Sequence, residues 1–391
     1  MDFEKPSQAA KRLGVTPRAI QKWAMEGRIP CAHKVAGQWM IPTNFTEPAD
    51  KKAAAKTDAS FSSQFEPKTL LNSEFRPGEC LAYIDSIEDE DERNMVFAEY
   101  CHYSGNSEEA IKISEKYLDC DNAHLRNTAC LLYMFANMGL GHLHLAKYAI
   151  SVLNERVARQ TQNIVLPEIH SLLVWTSYVA ALVFNTDVDG LEPLEDWIKY
   201  LPEGLKLFAC YMLASKMRQS GKYQGAHSVA RIAVQLSDNK FILPRIFCKL
   251  MDAIALMDMK LTEDAEKQFM LAWELAIKDG FIEPFTEHYS LLSGLAERCI
   301  KNDYPEEYKK ITEKARIFYG RIRAINDMDS DGEMLTVTEF SIAMLYARDW
   351  SAKEIAEHFN ISVRTVYRHI SNIYATLNIG SVAELKKYVS D

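Results

Sequence analysis

Between about residue 64 and residue 325, helix-length runs of apolar residues spaced three and four apart alternate with short polar breaks. The breaks share a texture: Ser104-Gly105-Asn106-Ser107-Glu108-Glu109-Ala110, Met138-Gly139-Leu140-Gly141, Ser220-Gly221-Lys222-Tyr223 and Met259-Lys260-Leu261-Thr262-Glu263-Asp264-Ala265. Each predicts a tight corner joining one amphipathic helix to the next. Small residues such as Ala226 and Ala230, or Ala265 and Ala272, recur one or two turns apart, where two helix axes approach closely. The run from Ser171 to Phe184 is the longest apolar stretch, is shorter than a bilayer crossing and follows Pro167, Glu168 and His170; it reads as a buried helix.

The two ends carry different patterns. From Leu335 a helix start appears in which Thr336 caps the N-terminus and Glu339 completes a capping box; Ser351 and Glu354 repeat that box before a short helix with Ile355, Ala356 and Phe359 on one face. Asn360-Ile361-Ser362 is a turn, and Ser362 caps a third helix bearing Val363, Val366, Ile370, Ile373 and Leu377 at helical spacing. A helix-turn-helix follows from this spacing alone. At the other end, Ser7 is the expected cap of a helix closed by Gly14, Thr16 caps a second helix with Pro17 at its first position, and Lys34 to Pro42 predict a small hairpin turning at Gly37.

Polar stretches from Thr43 to Ser63 and from Asn326 to Glu333 separate these parts. The expected organisation is a head at 1–42, a linker at 43–63, a helical middle at 64–325, a second linker at 326–333 and a tail at 334–391. The fold class is therefore mainly α, with a wing in the head and four helices in the tail.

Composition changes this picture little. The 391 residues are 48% hydrophobic and 25% charged with 16 Gly and 13 Pro, which excludes disordered and collagen-like classes and favours helices. The eight cysteines form no CxxC pair and no apolar signal segment precedes them, so a reduced, cytoplasmic chain without a membrane partner is expected. Charge matters more. Residues 1–56 hold ten Lys/Arg against five Asp/Glu, residues 333–391 hold six against seven, and the net charge of −9 leaves −13 for residues 57–332. Double-stranded DNA would be repelled by the middle and drawn to the ends.

Residues 335–388 resemble the LuxR/GerE helix-turn-helix family through Leu335-Thr336-x-x-Glu339, Lys353-Glu354-Ile355-Ala356, Ile361-Ser362, Thr365-Val366, His369, Asn372-Ile373, Leu377 and a last helix with Glu384 and Leu385. The resemblance implies a third helix lying in the major groove, with Ser362, Arg364, Thr365, Tyr367, Arg368, His369 and Asn372 as the DNA-facing set. Without it, the same polar residues would read as a solvated face. Two positions depart from the family: Tyr367 stands where Lys is usual, and Thr376 where a basic residue precedes Leu377. With two charges missing, binding would lean on a homodimer paired through Ser381–Tyr388, or on the head.

The head resembles the MerR/excisionase winged-helix family through Ala9-Ala10-x-x-Leu13-Gly14-Val15, Gln21-Lys22-Trp23 and Gly37-x-Trp39-x-Ile41-Pro42. That resemblance implies Arg18, Gln21 and Lys22 in the groove, Lys34 and Gln38 on the backbone, and Trp23, Trp39 and Ile41 in the core. A small basic fold used for protein contacts is the alternative. The middle is similar to degenerate tetratricopeptide-like repeats, with 36 residues from Ala110 to Ala146 and 39 from Ala226 to Ala265; an irregular α-bundle is the other reading of the pattern.

No GxxxxGK[ST], GxSxG or HExxH run occurs, and His142-x-His144 places its two rings on different helix faces, so no catalytic residue, cofactor or metal is expected. The expected function is a bacterial DNA-binding transcription regulator whose middle senses a small-molecule or peptide effector or mediates oligomerisation. A docking scaffold is the competing class, its concave surface drawing on residues such as Tyr211, Asn239 and Tyr289, with the DNA modules only localising it.

Overall fold

The computed structural model describes residues 3–25, 29, 33–35, 38–43, 68–120, 122–142, 144–146, 148–149, 167–183, 191–325 and 335–389. Apart from Thr43, both expected linkers lie outside them, as does the expected hairpin glycine, Gly37.

In the head, α1 (Pro6–Leu13) and α2 (Pro17–Met25) pack on an antiparallel sheet ordered β1 (Phe3–Glu4), β3 (Gln38–Pro42), β2 (His33–Val35). Phe3 pairs with Pro42 and Lys34 with Trp39. Two residues show no alternation, so β1 leaves no mark in the pattern. Arg12 ties it to α1 through a 2.6 Å ion pair with Glu4. Helix α1 starts two residues earlier than expected: Pro6 needs no N–H partner in the first turn, so Lys5 becomes the cap, its N–H donating to the Gln8 side chain, and Ser7 lies inside the helix. Gly14 closes it in the left-handed region, and Thr16 accepts from the Ala19 N–H as expected. Ala9, Ala10, Ile20, Ala24, Ile29 and Ile41 form the core, with Trp23 and Trp39 partly buried against it.

The described middle is helical throughout: α3 (Cys80–Asp85), α4 (Glu90–Tyr103), α5 (Ser107–Ser114), α6 (Ala123–Leu140), α7 (Pro167–Val183), α8 (Leu194–Trp197), α9 (Glu203–Gln219), α10 (Tyr223–Leu236), α11 (Ile242–Asp258), α12 (Thr262–Ala276), α13 (Glu283–Glu287), α14 (Leu295–Cys299) and α15 (Pro305–Ile325), with 3-10 turns between some of them. No described helix is long and apolar enough to cross a membrane.

All four sequence breaks are built alike. Gly105, Gly141, Gly221 and Lys260 have φ of 86°, 74°, 72° and 60°. In each corner the next residue's N–H reaches back to a carbonyl five positions earlier: Asn106 to Cys101, His142 to Asn137, Lys222 to Met217 and Leu261 to Leu256, at 2.7–2.9 Å. These are reverse bonds that satisfy carbonyls the helix end leaves open. Five residues beyond each left-handed residue stands an alanine, Ala110, Ala146, Ala226 or Ala265, with no exposed surface. The corner aims the chain back, and the alanine lets the returning helix close on its predecessor. Helix α11 lies at the centre, buried from Ile242 to Met257 except for Lys249. Rings of Phe208, Tyr211, Phe247 and His288 meet beside it with centroids 5.0–5.7 Å apart. Cys80, Cys101 and Cys248 are buried in the middle, and Cys210 and Cys299 are half-buried there.

The tail folds as α16 (Val337–Ala347), α17 (Ala352–Phe359), α18 (Val363–Thr376) and α19 (Val382–Val389) around Ile342, Leu345, Ile355, Val366, Ile373 and Leu385. Its apolar core is continuous with that of the middle. A polar joint reinforces the contact. Arg348, just past α16, lies 3.3 Å from Asp258 at the end of α11 and donates to the Leu291 carbonyl (3.2 Å) and the Ser293 hydroxyl (2.6 Å). Arg298 donates to the His358 carbonyl (2.7 Å), Lys260 pairs with Glu354 (2.9 Å), and the His358 Nε2 meets the Ser293 carbonyl at 2.9 Å. At Gly294, φ is 87° and a Cβ would lie 2.6 Å from the Phe359 ring, so only glycine fits between the two parts.

Two outcomes are expected. Replacing Ala265 with Leu overfills a contact that has no spare volume and lowers unfolding stability by about 1–3 kcal/mol, read from a urea midpoint; an unchanged midpoint refutes the close-approach account. Burial, together with the nearby Arg298 charge, pushes the His358 imidazole down from 6.5 to about 4, against the opposing pull of the Ser293 carbonyl. The unfolded chain takes up this proton near pH 6.5 while the folded chain resists it, so the contribution is whole above pH 6.5 and is lost on acidification, about 3 kcal/mol by pH 4. Urea midpoints of the parent chain and of His358→Gln should diverge over that range, and parallel losses would contradict the assignment.

Candidate nucleic-acid interface

The face that would meet DNA is prepared by local rules. The Ser362 hydroxyl accepts from the Thr365 N–H at 3.1 Å and lies 2.8 Å from the Thr365 hydroxyl, which fixes the first turn of α18. Asn360, left-handed at φ 52°, ends α17, and the Ile361 N–H returns to the Ala356 carbonyl at 3.0 Å. Val366, Ile370 and Ile373 then point into the core, which commits the other side of α18 to solvent. Val363, counted with the apolar positions in the sequence, is 39% exposed.

On the outward side Arg364, Tyr367, Arg368, Ser371 and Asn372 are exposed, with Tyr367 at 59%, while Thr365 and His369 are half-buried. Among the described residues neither Arg364 nor Arg368 is held in an ion pair. Two long cations one turn apart therefore stand free beside a phenol, an array of donors suited to phosphates and base edges. His369 and Asn372 face elsewhere in part: the Asn372 amide donates to Glu339 at 3.4 Å, and the His369 Nδ1 lies 3.9 Å from the same carboxylate.

Glu339 thus does more than cap α16. Partial burial alone would raise its carboxyl, but hydrogen bonds from the Thr336 hydroxyl and N–H and from Asn372, with the His369 charge, hold it below the usual carboxylate value. The same carboxylate therefore links the start of α16 to α18. The sequence reveals the cap through Thr336-x-x-Glu339 but carries no local signal for the second duty, which depends on two helices meeting.

In the head, Arg18, Gln21 and Lys22 are exposed and share one face of α2 at spacings of three and four. Lys34 lies on β2 and Gln38 on β3, where it pairs with Val35; their side chains lie outside the described residues. Tyr211 and Tyr289, expected on an open concave surface, are 5% and 3% exposed, and their hydroxyls bond to His288 and Glu297. Both belong to the core, whereas Asn239 is exposed and spends its side chain and carbonyl on Arg245. Among the described residues no group of three His, Cys, Asp or Glu side chains gathers to hold a metal ion, and the His142 ring bonds to Asn137.

Residues 333–389 match the family of bacterial regulatory proteins of luxR type, GerE. The C-terminal unit is a LuxR-family domain. No curated protein and no solved structure matches the chain. The match covers the four tail helices, so a family of DNA-binding regulators supplies the context for the exposed side of α18. In this GerE unit the donors are carried by Arg364 and Arg368, on either side of the position where Tyr367 stands.

Arg364→Ala and Arg368→Ala should each weaken duplex DNA binding. Contact with a phosphate lowers the slope of log affinity against log salt by about one; contact with a base costs about 1–3 kcal/mol at one operator position. Titrations at several salt concentrations decide, and a variant that changes neither quantity removes that arginine from the interface.

Proposed function

We propose that the chain is a transcription regulator of LuxR type that reads double-stranded DNA through α18, with Ser362, Arg364, Thr365, Tyr367, Arg368, His369 and Asn372 as the contacting or positioning set. The observation that carries this reading is the exposed Arg364–Tyr367–Arg368 side of α18 within the matched GerE unit. The head is a second reader, a MerR/excisionase-like winged helix-turn-helix; two helices on a three-stranded sheet, with Arg18, Gln21 and Lys22 on one exposed face, support it. Lys34 and Gln38 are its backbone-contacting pair.

The middle is a tetratricopeptide-like domain that senses a small-molecule or peptide effector or joins two chains as a homodimer. Its support is the recurrence of one corner geometry with one alanine position, a unit that stacks on copies of itself. The charge of −13 over residues 57–332 keeps DNA off this part and leaves contact to the ends. Two tails paired through α19 would match half-sites about one helical turn apart. This reading has no catalytic step and no cofactor, and sets the protein to work on the nucleoid in the cytoplasm.

Genome-wide footprinting of the full chain, of a chain lacking residues 1–42, and of an Arg364→Ala/Arg368→Ala chain tests the proposal. Loss of distinct halves of a composite site is the expected result. Occupancy unchanged by both alterations would leave the ends without a DNA-reading role and turn attention to the scaffold reading.

A further inference from the structure

Asp258 is a single carboxylate shared by three parts of the molecule. It ends α11, the buried axis of the middle, and its side chain is 3% exposed. One oxygen lies 2.7 Å from the Arg218 Nε at the end of α9; the other lies 3.3 Å from the Arg348 Nη1 in the GerE unit. Arg218 itself is 8% exposed, so the Arg218–Asp258 contact is shielded from solvent and from screening by salt. The same Nη1 of Arg348 also holds the Leu291 carbonyl and the Ser293 hydroxyl.

The corner it grips is conformationally costly. Ser293 has φ 52° and Gly294 φ 87°, two left-handed residues in succession. The Ser293 carbonyl receives the His358 ring, and Gly294 passes against the faces of His358 and Phe359. A serine persists in this region only where surrounding contacts over-determine it. Those contacts come from the GerE unit. All of them fall on the α16–α17 connection and on α17, the helix that supports α18, and the DNA-facing side of α18 stays open.

We propose that Asp258 is a positioning residue that couples the packing of α9 against α11 to the orientation of the GerE unit, so that the middle presents α18 through the Arg218–Asp258–Arg348 relay. When α9 and α11 keep their register, Arg218 holds the carboxylate where Arg348 meets it and the GerE unit is seated. When that register shifts, the carboxylate turns away, Arg348 loses its anion while still enclosed, and the corner at Ser293–Gly294 lets go of α17. A buried pair broken on one side is unfavourable enough to drive such a release.

Amide hydrogen exchange on the full chain tests this without DNA, so its failure is separate from failure of the DNA-reading proposal. Arg348→Met and Gly294→Ala should each speed exchange at residues 345–361 by about tenfold or more, with residues 90–114 of the middle unchanged. Those two report seating alone. Arg218→Met is the deciding variant, because Arg218 lies on α9, outside the GerE unit, and meets the relay at Asp258: through a loosened Asp258 it should speed exchange at 345–361 by at least about threefold, while Arg218→Lys restores most of the protection. Exchange at 345–361 that ignores Arg218→Met but responds to Arg348→Met would overturn the relay, and indifference to Arg348→Met and Gly294→Ala would overturn the seating itself. Faster exchange at 90–114 in Arg218→Met would mean general loosening of the middle and would equally overturn the claim.

Discussion

The left-handed corner is the constraint on which the rest of this molecule depends. A helix end leaves four carbonyls open, and the chain satisfies one of them with a reverse bond from the residue after a left-handed glycine, lysine, aspartate or asparagine. That bond also fixes the direction in which the chain leaves. Among the described residues the same device appears in the head at Gly14, in the middle at the four sequence breaks and again at Gly280, and in the tail at Asp349, Asn378 and Asn360, the last between the two helices of the helix-turn-helix. Architecture that differs in function is thus assembled from one local solution, and what varies is the residue that follows. An alanine five positions on gives close packing at four corners of the middle; a capping serine two positions on, Ser362, starts the helix whose outward side is exposed.

Much of this was legible from residue order, because it is local. The three caps at Thr336, Ser351 and Ser362, the closing Gly14 and the four corners are each written within six residues, and the apolar spacing of α18 told which side faces in. Three features were not. The strand β1 is too short to show a period. Ser7 lost its place as a cap to Lys5 because Pro6 begins a helix without needing a donor. Tyr211 and Tyr289 looked like residues for an open surface, but their hydroxyls find buried partners in His288 and Glu297, sequence neighbours only in the second case. Side chains with one polar tip can be core or surface, and only the tertiary partner decides.

The site shows the same division. Arg364, Tyr367 and Arg368 are exposed because their neighbours in the helical period are not, which spacing alone anticipates. The duties of Glu339, which caps one helix and steadies the next, and of Asp258, which meets two arginines, depend on segments far apart in the chain. The −13 charge of residues 57–332 stands beside these contacts. Such an excess of carboxylates disfavours approach of a duplex to the middle, so the charge of the chain and the open side of α18 point the same way.

The thiols of the middle carry a different consequence. Burial pushes Cys101 up to about 11 and Cys299 up to about 12, with nearby carboxylates adding to the effect, and raises Cys80, Cys210 and Cys248 as well. Peroxide and disulfide reagents attack the thiolate, a form these sulfurs scarcely populate at neutral pH. These five cysteines therefore behave as small apolar fillers, slow toward oxidants for as long as the helices around them stay folded.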